Sequence, residues 1–497
     1  MKTLVSLRCA LVLFVSLAEA NGPSLSGSAH DPSPAAMLAR AREVMGFARA
    51  GNRVLHAHAI MSSEQNYESD RTYPPFFSSM NDQEIWFDPS DAVLRVESRS
   101  IFPGTGPTPV SVTIDDGKNA EAIRGGRSVA IARRQEAGRE LNAWAVIADW
   151  SAANDVRFAG TETYRDYPRL VLAHKIAGGE QKLYIDPKSG FPVKLDFIEP
   201  HYLWGQRHIE YLWSTWTTKD GMVSPGAAFR VADGDVELSQ TIGNSELIAR
   251  DRAPSLGAPQ TPAHPPADLP MFLQPISPQA VKVSPDLYLL SNPGYNEAVA
   301  SVNGEVYVFD ATQGEKRARQ DAEQIAKLFP GQHKVNLVVT DLAWPHIAGV
   351  RYWVSQGATI IAHEAACNFL QMVVDRSWTL TPDALEQMRS KDPATVRMKC
   401  VAVNHAMSTA AGRLQLLAID GIGSEVALMI YVPAEKFLWG SDYIQTMDEP
   451  SLYASEVLHA AKTAGIRPEQ VAAEHLSLTD WKLVESAQLK STEHGAQ

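Results

Sequence analysis

The sequence predicts two folded units in series, an α+β, mainly antiparallel unit followed by an α/β unit. Three observations predict it. Short alternating apolar runs joined by hairpin turns fill residues 84–197, a proline-dense stretch spans 251–285, and strand-like runs alternate with helix-like ones from residue 287 onward.

One helix opens the first unit, placed at 34–250. Pro34 stands where a helix starts, Met37, Ala41, Val44 and Met45 fall near one face, and Gly51 and Asn52 end the pattern. Strand signals fill the remainder. Runs at 84–87 and 92–97 flank the turn at 88–91, the run 112–114 leads into Asp115, Asp116 and Gly117, and runs 182–185 and 192–197 flank the turn at 186–190. Such turn residues between short alternating runs mark antiparallel hairpins.

Nine prolines lie between Asp251 and Pro285. Each fixes φ and removes a backbone donor, which blocks helix and central strand and favours an extended spacer, so the boundary is placed here. The second unit, 286–490, reads as strands at 287–290, 298–302 and 305–310, a helix at 314–328, a buried strand at 335–340, a helix at 347–355 and a strand at 358–363. Strands at 425–431, 437–439 and 471–473 and a helix at 452–464 follow.

The chain has 497 residues, 45% hydrophobic and 21% charged, enough for each unit to bury its own core. A formal net charge of -12 leaves no basic surplus to neutralise phosphates and argues against a nucleic-acid partner. Residues 1–20 read as a signal peptide: Lys2 and Arg8, an apolar run at 10–17, and a small-x-small end at Ala18 and Ala20. The expectation is therefore a periplasmic or secreted protein, with a flexible segment at 21–33. No later apolar run reaches the roughly 20 residues of a transmembrane segment. Cys367 and Cys400 remain beyond that leader, too few for an all-cysteine zinc site; the reading leans to free thiols over a disulfide, because spacing supplies no geometry.

Residues 338–364, with Tyr295, Asn296, 308–310, Ser424, Glu425, 431–433 and 437–442, resemble in order the landmarks of the metallo-β-lactamase superfamily, over roughly residues 280–480. The resemblance implies an αβ/βα four-layer sandwich and a metal loop of pattern His-x-His-x-Asp-His. Its positions fall on Asp341, Ala343, Pro345 and His346, so the motif is degenerate. A further family histidine falls on Gly423, the bridging aspartate on Asp442 and the last histidine on His475. The first metal site is left with Asp341, Ala343 and Gly423, two of which have no donor side chain. The second keeps His346, Asp442 and His475.

That set implies one ion at most, zinc, or else iron or manganese, or none if the degeneration has gone too far. The implied activity is hydrolysis of a small-molecule ester, lactone, thioester or amide through a single metal-activated water, with Asp341 as the candidate catalytic residue. Each residue also has a plain structural role open to it: His346 as a helix cap, Asp442 in a turn, His475 as an ordinary hydrogen-bonded histidine. His363 and His405 read as structural.

Residues 183–193 resemble the lipoprotein-carrier fold of the bacterial periplasm, a half-open antiparallel barrel that cups an apolar ligand. This implies an alternative, a non-catalytic binding or carrier protein. His56 and His58 have a metal-like spacing but no evident acid partner, which favours surface exposure. Tyr202, Trp204, Tyr211, Trp213 and Trp216 read as sheet core, and Gly104 and Gly106, between Pro103 and Pro107, as a loop without a following helix.

Overall fold

The structure is a computed structural model describing residues 33–65, 77–101, 108–124, 127–131, 138–176, 179–201, 203–257, 277–292, 294–332, 334–392, 397–409, 412–421, 424–445 and 452–494. The leader at 1–20, the segment at 21–32, the loop at 103–107, Tyr202, Gly423, the side chain of Pro345 and most of the proline-dense stretch lie outside these residues.

The first half forms one sheet of thirteen strands, in the order Arg127–Ile131, Ala120–Arg124, Ser111–Asp115, Val93–Ile101, Phe77–Asp88, Arg53–Gln65, Asp235–Ala249, Met222–Ala232, Gly205–Lys219, Pro192–His201, Gly179–Ile185, Tyr167–Ile176 and Arg157–Tyr164. Every junction is antiparallel. The chain makes two meanders whose first and last strands pair at the centre, Arg53 opposite Ala249.

Helix Pro34–Met45 stands as expected, capped by the Ser33 hydroxyl and burying Met37, Leu38, Ala41 and Met45. A second helix, Ala143–Ala152, was not expected where strand signals were read throughout. Seven of its ten residues are buried, including Trp144, Ile147 and Trp150, and Asn142 caps it by accepting from the N–H groups of Trp144 and Ala145. Its apolar residues surround the axis because it is enclosed on nearly all sides, so it shows little amphipathic periodicity. Trp144 donates to the Val223 carbonyl and Trp213 to that of Leu141, tying the helix to the sheet.

The sheet is curved. Val93 and Leu195 lie six strand spacings apart, about 29 Å if the sheet were flat, yet both line one cavity of about 1060 Å³ beside this helix.

The second half contains two sheets. One has seven strands, Gln279–Ser284, Leu287–Asn292, Tyr295–Val302, Glu305–Phe309, Val335–Val339, Thr359–His363 and Lys399–Val403, antiparallel up to Glu305–Phe309 and parallel after it. The other has six, Ala406–Thr409, Leu414–Ala418, Leu428–Val432, Phe437–Trp439, Gln470–Ala472 and Thr479–Asp480, with one parallel junction, Phe437–Trp439 against Gln470–Ala472. Alternate residues explain the packing. Phe309, Val338 and Ile361 meet Leu428, Ile430 and Trp439 of the other sheet. Val308, Leu337 and Ile360 bury against the helices Glu315–Leu328, Val350–Ser355 and Ala366–Asp375. Met429, Leu438 and Val471 bury against Leu452–Thr463 and Trp481–His494.

Two expectations are corrected here. Strand Gln279–Ser284 lies inside the stretch read as spacer at 251–285; flanked by Pro278 and Pro285, it is an edge strand, where missing donors are tolerated. Cys367 and Cys400 are bonded, their Cα atoms 6.0 Å apart, because the start of helix Ala366–Asp375 passes over strand Lys399–Val403.

Trp204 also departs from its expected place. Tyr211 and Trp213 belong to the core of the first sheet, but Leu203 and Trp204, at the turn after strand Pro192–His201, enter the core of the second half, where Trp204 meets Phe369 edge-on at 5.8 Å. Arg376 donates to the carbonyls of Trp204 and Gln206 and pairs with Asp233. Among the described residues no helix is long and apolar enough to cross a membrane.

Candidate metal centre

Parallel strands deliver their following loops to the same end, and the candidate site lies there. Strand Glu305–Phe309 ends at Asp310, Val335–Val339 at Thr340 and Asp341, Phe437–Trp439 at Gly440, Ser441 and Asp442, and Gln470–Ala472 at Ala473, Glu474 and His475. Backbone bonds lace these loops together: Leu428 N–H donates to the Thr340 carbonyl, Gly440 to Ala472, and Glu474 to Ser441. Asp310 (φ 67°) and Ser441 (φ 55°) occupy the left-handed region, which costs non-glycine residues about 1–2 kcal/mol each. Asp310 is held there by donors, accepting from Thr340 N–H, Thr340 Oγ1 and Trp439 Nε1.

His346 lies in the short helix Trp344–Ile347 and is 2% exposed. Its Nε2 is 3.6 Å from Asp442 Oδ2, and His475 Nε2 is 3.3 Å from Asp442 Oδ1. The two rings stand edge to face with centroids 5.4 Å apart. The three donor atoms lie within 4.8 Å of one another, so the structure brings His346, Asp442 and His475 together. Asp442 and His475 remain 21% and 27% exposed, so one side of the cluster faces solvent.

The donor set fits a divalent ion. Each imidazole reaches one Asp442 oxygen at 3.3–3.6 Å, longer than charge-assisted hydrogen bonds of about 2.7–2.9 Å, and one donor atom from each of the three residues lies within 4.8 Å of the others. Burial, with a smaller effect from His475, lowers the His346 pKa well below that of an ordinary histidine, which keeps its ring neutral as ligation requires. Burial raises Asp442 to about 6, partly opposed by His475. The His475 Nδ1 lies 2.6 Å from the Gly294 carbonyl; donation there leaves the Nε2 lone pair facing Asp442.

Asp341 is also at the site. It is buried, its Oδ1 accepts from Ala343 N–H at 2.6 Å, and it forms a second possible donor set with His346, Asp442 and Glu474. Glu474 was missed by sequence reasoning; no motif marks it, and its only signal was adjacency to His475. It is fully buried, and its Oε2 contacts His346 Nδ1. Burial, then Asp341, Asp310 and Asp442, push its carboxyl well above the usual range. A divalent cation would relieve that crowding of carboxyl groups.

The other candidates lie apart. His363 is buried and accepts from Ala365 N–H, while His405 is 82% exposed and 3.7 Å from Asp420. His56 and His58, expected to lack acid partners, have them: Glu84 at 2.7 Å from His56 and Asp82 at 2.7 Å from His58, supplied by the neighbouring strand. Asp196, His208 and Glu210 also cluster on the first sheet, but Lys194 Nζ already bonds both acids at 2.7 and 2.9 Å.

No protein-family model and no curated protein matches the chain. Among solved structures it is similar to DIM-1 metallo-β-lactamase, at 13% identity over 45% of this chain and 100% of that one with a TM-score of 0.34. It is similar to TMB-1 at 11% identity, over 44% of this chain and 99% of that one with a TM-score of 0.32. Similarity extends to a metallo-β-lactamase from Pontibacter korlensis at 12% identity, over 43% of this chain and 98% of that one with a TM-score of 0.33.

Proposed function

We propose that the chain is an exported metal-dependent hydrolase whose second half is a four-layer αβ/βα sandwich of metallo-β-lactamase type with a degenerate metal motif. The observation that carries this reading is the convergence of His346, Asp442 and His475, far apart in the chain, with one donor atom from each within 4.8 Å of the others. The partial exposure of Asp442 and His475 leaves room for a water or substrate. A divalent ion held there would lower the pKa of a bound water toward neutrality, the chemistry needed to hydrolyse an ester, lactone, thioester or amide. Zinc is the first candidate, iron and manganese the next. His346 and His475, through Nε2, and Asp442 would hold the ion, and Asp341, buried beside them, would accept a proton. Export is supported by the leader-like residues 1–20 and by the Cys367–Cys400 disulfide, a bond typical of oxidising compartments.

Metal analysis of purified protein tests this directly. The expected result is one equivalent of a divalent metal, lost together with hydrolysis of a model ester or lactone panel in His475→Ala and Asp442→Asn. Metal-free wild-type protein that also fails to take up added zinc, iron or manganese would defeat it.

The cavity beside helix Ala143–Ala152 favours a second reading, a carrier for an amphipathic or apolar ligand in a half-open barrel. Val93, Val146, Trp150, Ile176 and Leu195 line it from the helix and both flanks of the sheet. Native mass spectra showing co-purified lipid on metal-free protein would favour that reading over the hydrolase.

A further inference from the structure

We propose that Glu474 is the positioning residue of the metal centre, holding the His346 ring by Nδ1 so that Nε2 is presented to the ion. The inference rests on the metal-binding reading above. An imidazole can ligate only through a nitrogen that carries no proton, so the ring needs a partner that keeps the proton on the other side. At His475 that partner is the Gly294 carbonyl, 2.6 Å from Nδ1. At His346 the group in contact with Nδ1 is Glu474 Oε2. Nδ1 of each ring meets a protein oxygen, and both rings turn Nε2 toward Asp442, at 3.6 and 3.3 Å.

The backbone shows why this side chain can do it. Asn296 N–H donates to the Glu474 carbonyl at 2.7 Å, Glu474 N–H donates to Ser441 at 3.1 Å, and Asn296 Nδ2 donates to Ala473 at 3.1 Å. Glu474, on the loop that carries His475, is therefore fixed to the Asp442 loop and to strand Tyr295–Val302, and its side chain reaches His346.

The test is Co²⁺ binding to the full chain, followed by absorbance and calorimetry, for wild type, E474Q, H346A and the double variant. E474Q is expected to weaken Co²⁺ binding about 10–100-fold while the melting temperature of the metal-free protein stays near that of wild type. In the H346A background E474Q should cost nothing further, because it acts through His346. Wild-type affinity in E474Q overturns the inference, and so does a further tenfold loss in the double variant, which would make Glu474 a ligand itself. Should E474Q not fold, E474D, one methylene shorter, is expected to lose affinity, and wild-type binding there is equally fatal. Absence of Co²⁺ binding to wild type would remove the metal reading as well, whereas binding with an unaltered E474Q removes only this inference.

Discussion

At Glu297, Arg317 and Asp321, two carboxyl groups and one guanidinium are packed without solvent. Arg317 Nε donates to both Asp321 oxygens at 2.9 and 2.8 Å, and Glu297 Oε1 accepts from Thr312 N–H and Oγ1. One cation cannot balance two buried anions, so the cluster retains a proton. Burial lifts Asp321 from 3.8 to about 6, against the pull of Arg317. Burial and then Asp321 lift Glu297 well above its usual value. A folded-state pKa raised above the unfolded one contributes stability that is present at low pH and lost as pH rises; for Asp321 the loss runs from about 3.8 through about 6. Glu297→Gln removes one proton-binding group and keeps a hydrogen-bonding amide. Its urea midpoint should fall less steeply between pH 4 and 8, with stability at pH 8 equal to wild type or higher by about 1 kcal/mol. A steeper decline would contradict the shared-proton account.

Among elements, helix Ala366–Asp375 holds several parts of the structure together. Phe369 packs on Trp204, Cys367 bonds to Cys400 of the neighbouring strand, and Arg376 caps the far end by reaching across to the first half. The disulfide closes a loop of 33 residues, and chain entropy alone assigns such a crosslink about 3–4 kcal/mol. The double Cys→Ser variant should lose about 2–4 kcal/mol in urea unfolding and retain its Co²⁺ affinity, since the bond lies outside the donor loops. Unchanged stability would show that the denatured chain is already restricted there. This helix and Ala143–Ala152 were both left unassigned by the sequence reading. The apolar residues of Ala143–Ala152 surround its axis and give no periodic signal, whereas Ala366, Phe369, Leu370, Val373 and Val374 recur at helical spacing, so Ala366–Asp375 was legible as an amphipathic helix.

For the whole molecule, the two halves form a joint through the turn at Leu203 and Trp204. Gly205 (φ 70°) permits the close approach: a Cβ there would lie 2.1 Å from the Ser377 carbonyl and 2.5 Å from Trp378. Gly205→Ala should therefore force the hairpin off the second half, and Trp204→Ala should cost about 3–5 kcal/mol by emptying its pocket. Calorimetry of either variant should show the halves melting separately, with cleavage appearing near residue 205 in limited proteolysis. A single transition unchanged from wild type would mean the joint carries little of the stability.

The sequence by itself determined the order of the strands and helices over much of the chain, because turn residues and apolar period are local properties, and the resemblance of residues 338–364 and 437–442 singled out His346, Asp442 and His475 as candidates. It did not disclose Glu474, the Cys367–Cys400 bond, the acid partners of His56 and His58, or the passage of Trp204 into the other half. Those depend on which surfaces meet, and a residue's burial and charge environment are set by chain segments far away in sequence. Only the packed structure decides whether a glutamate beside a histidine faces water or serves the imidazole across the site.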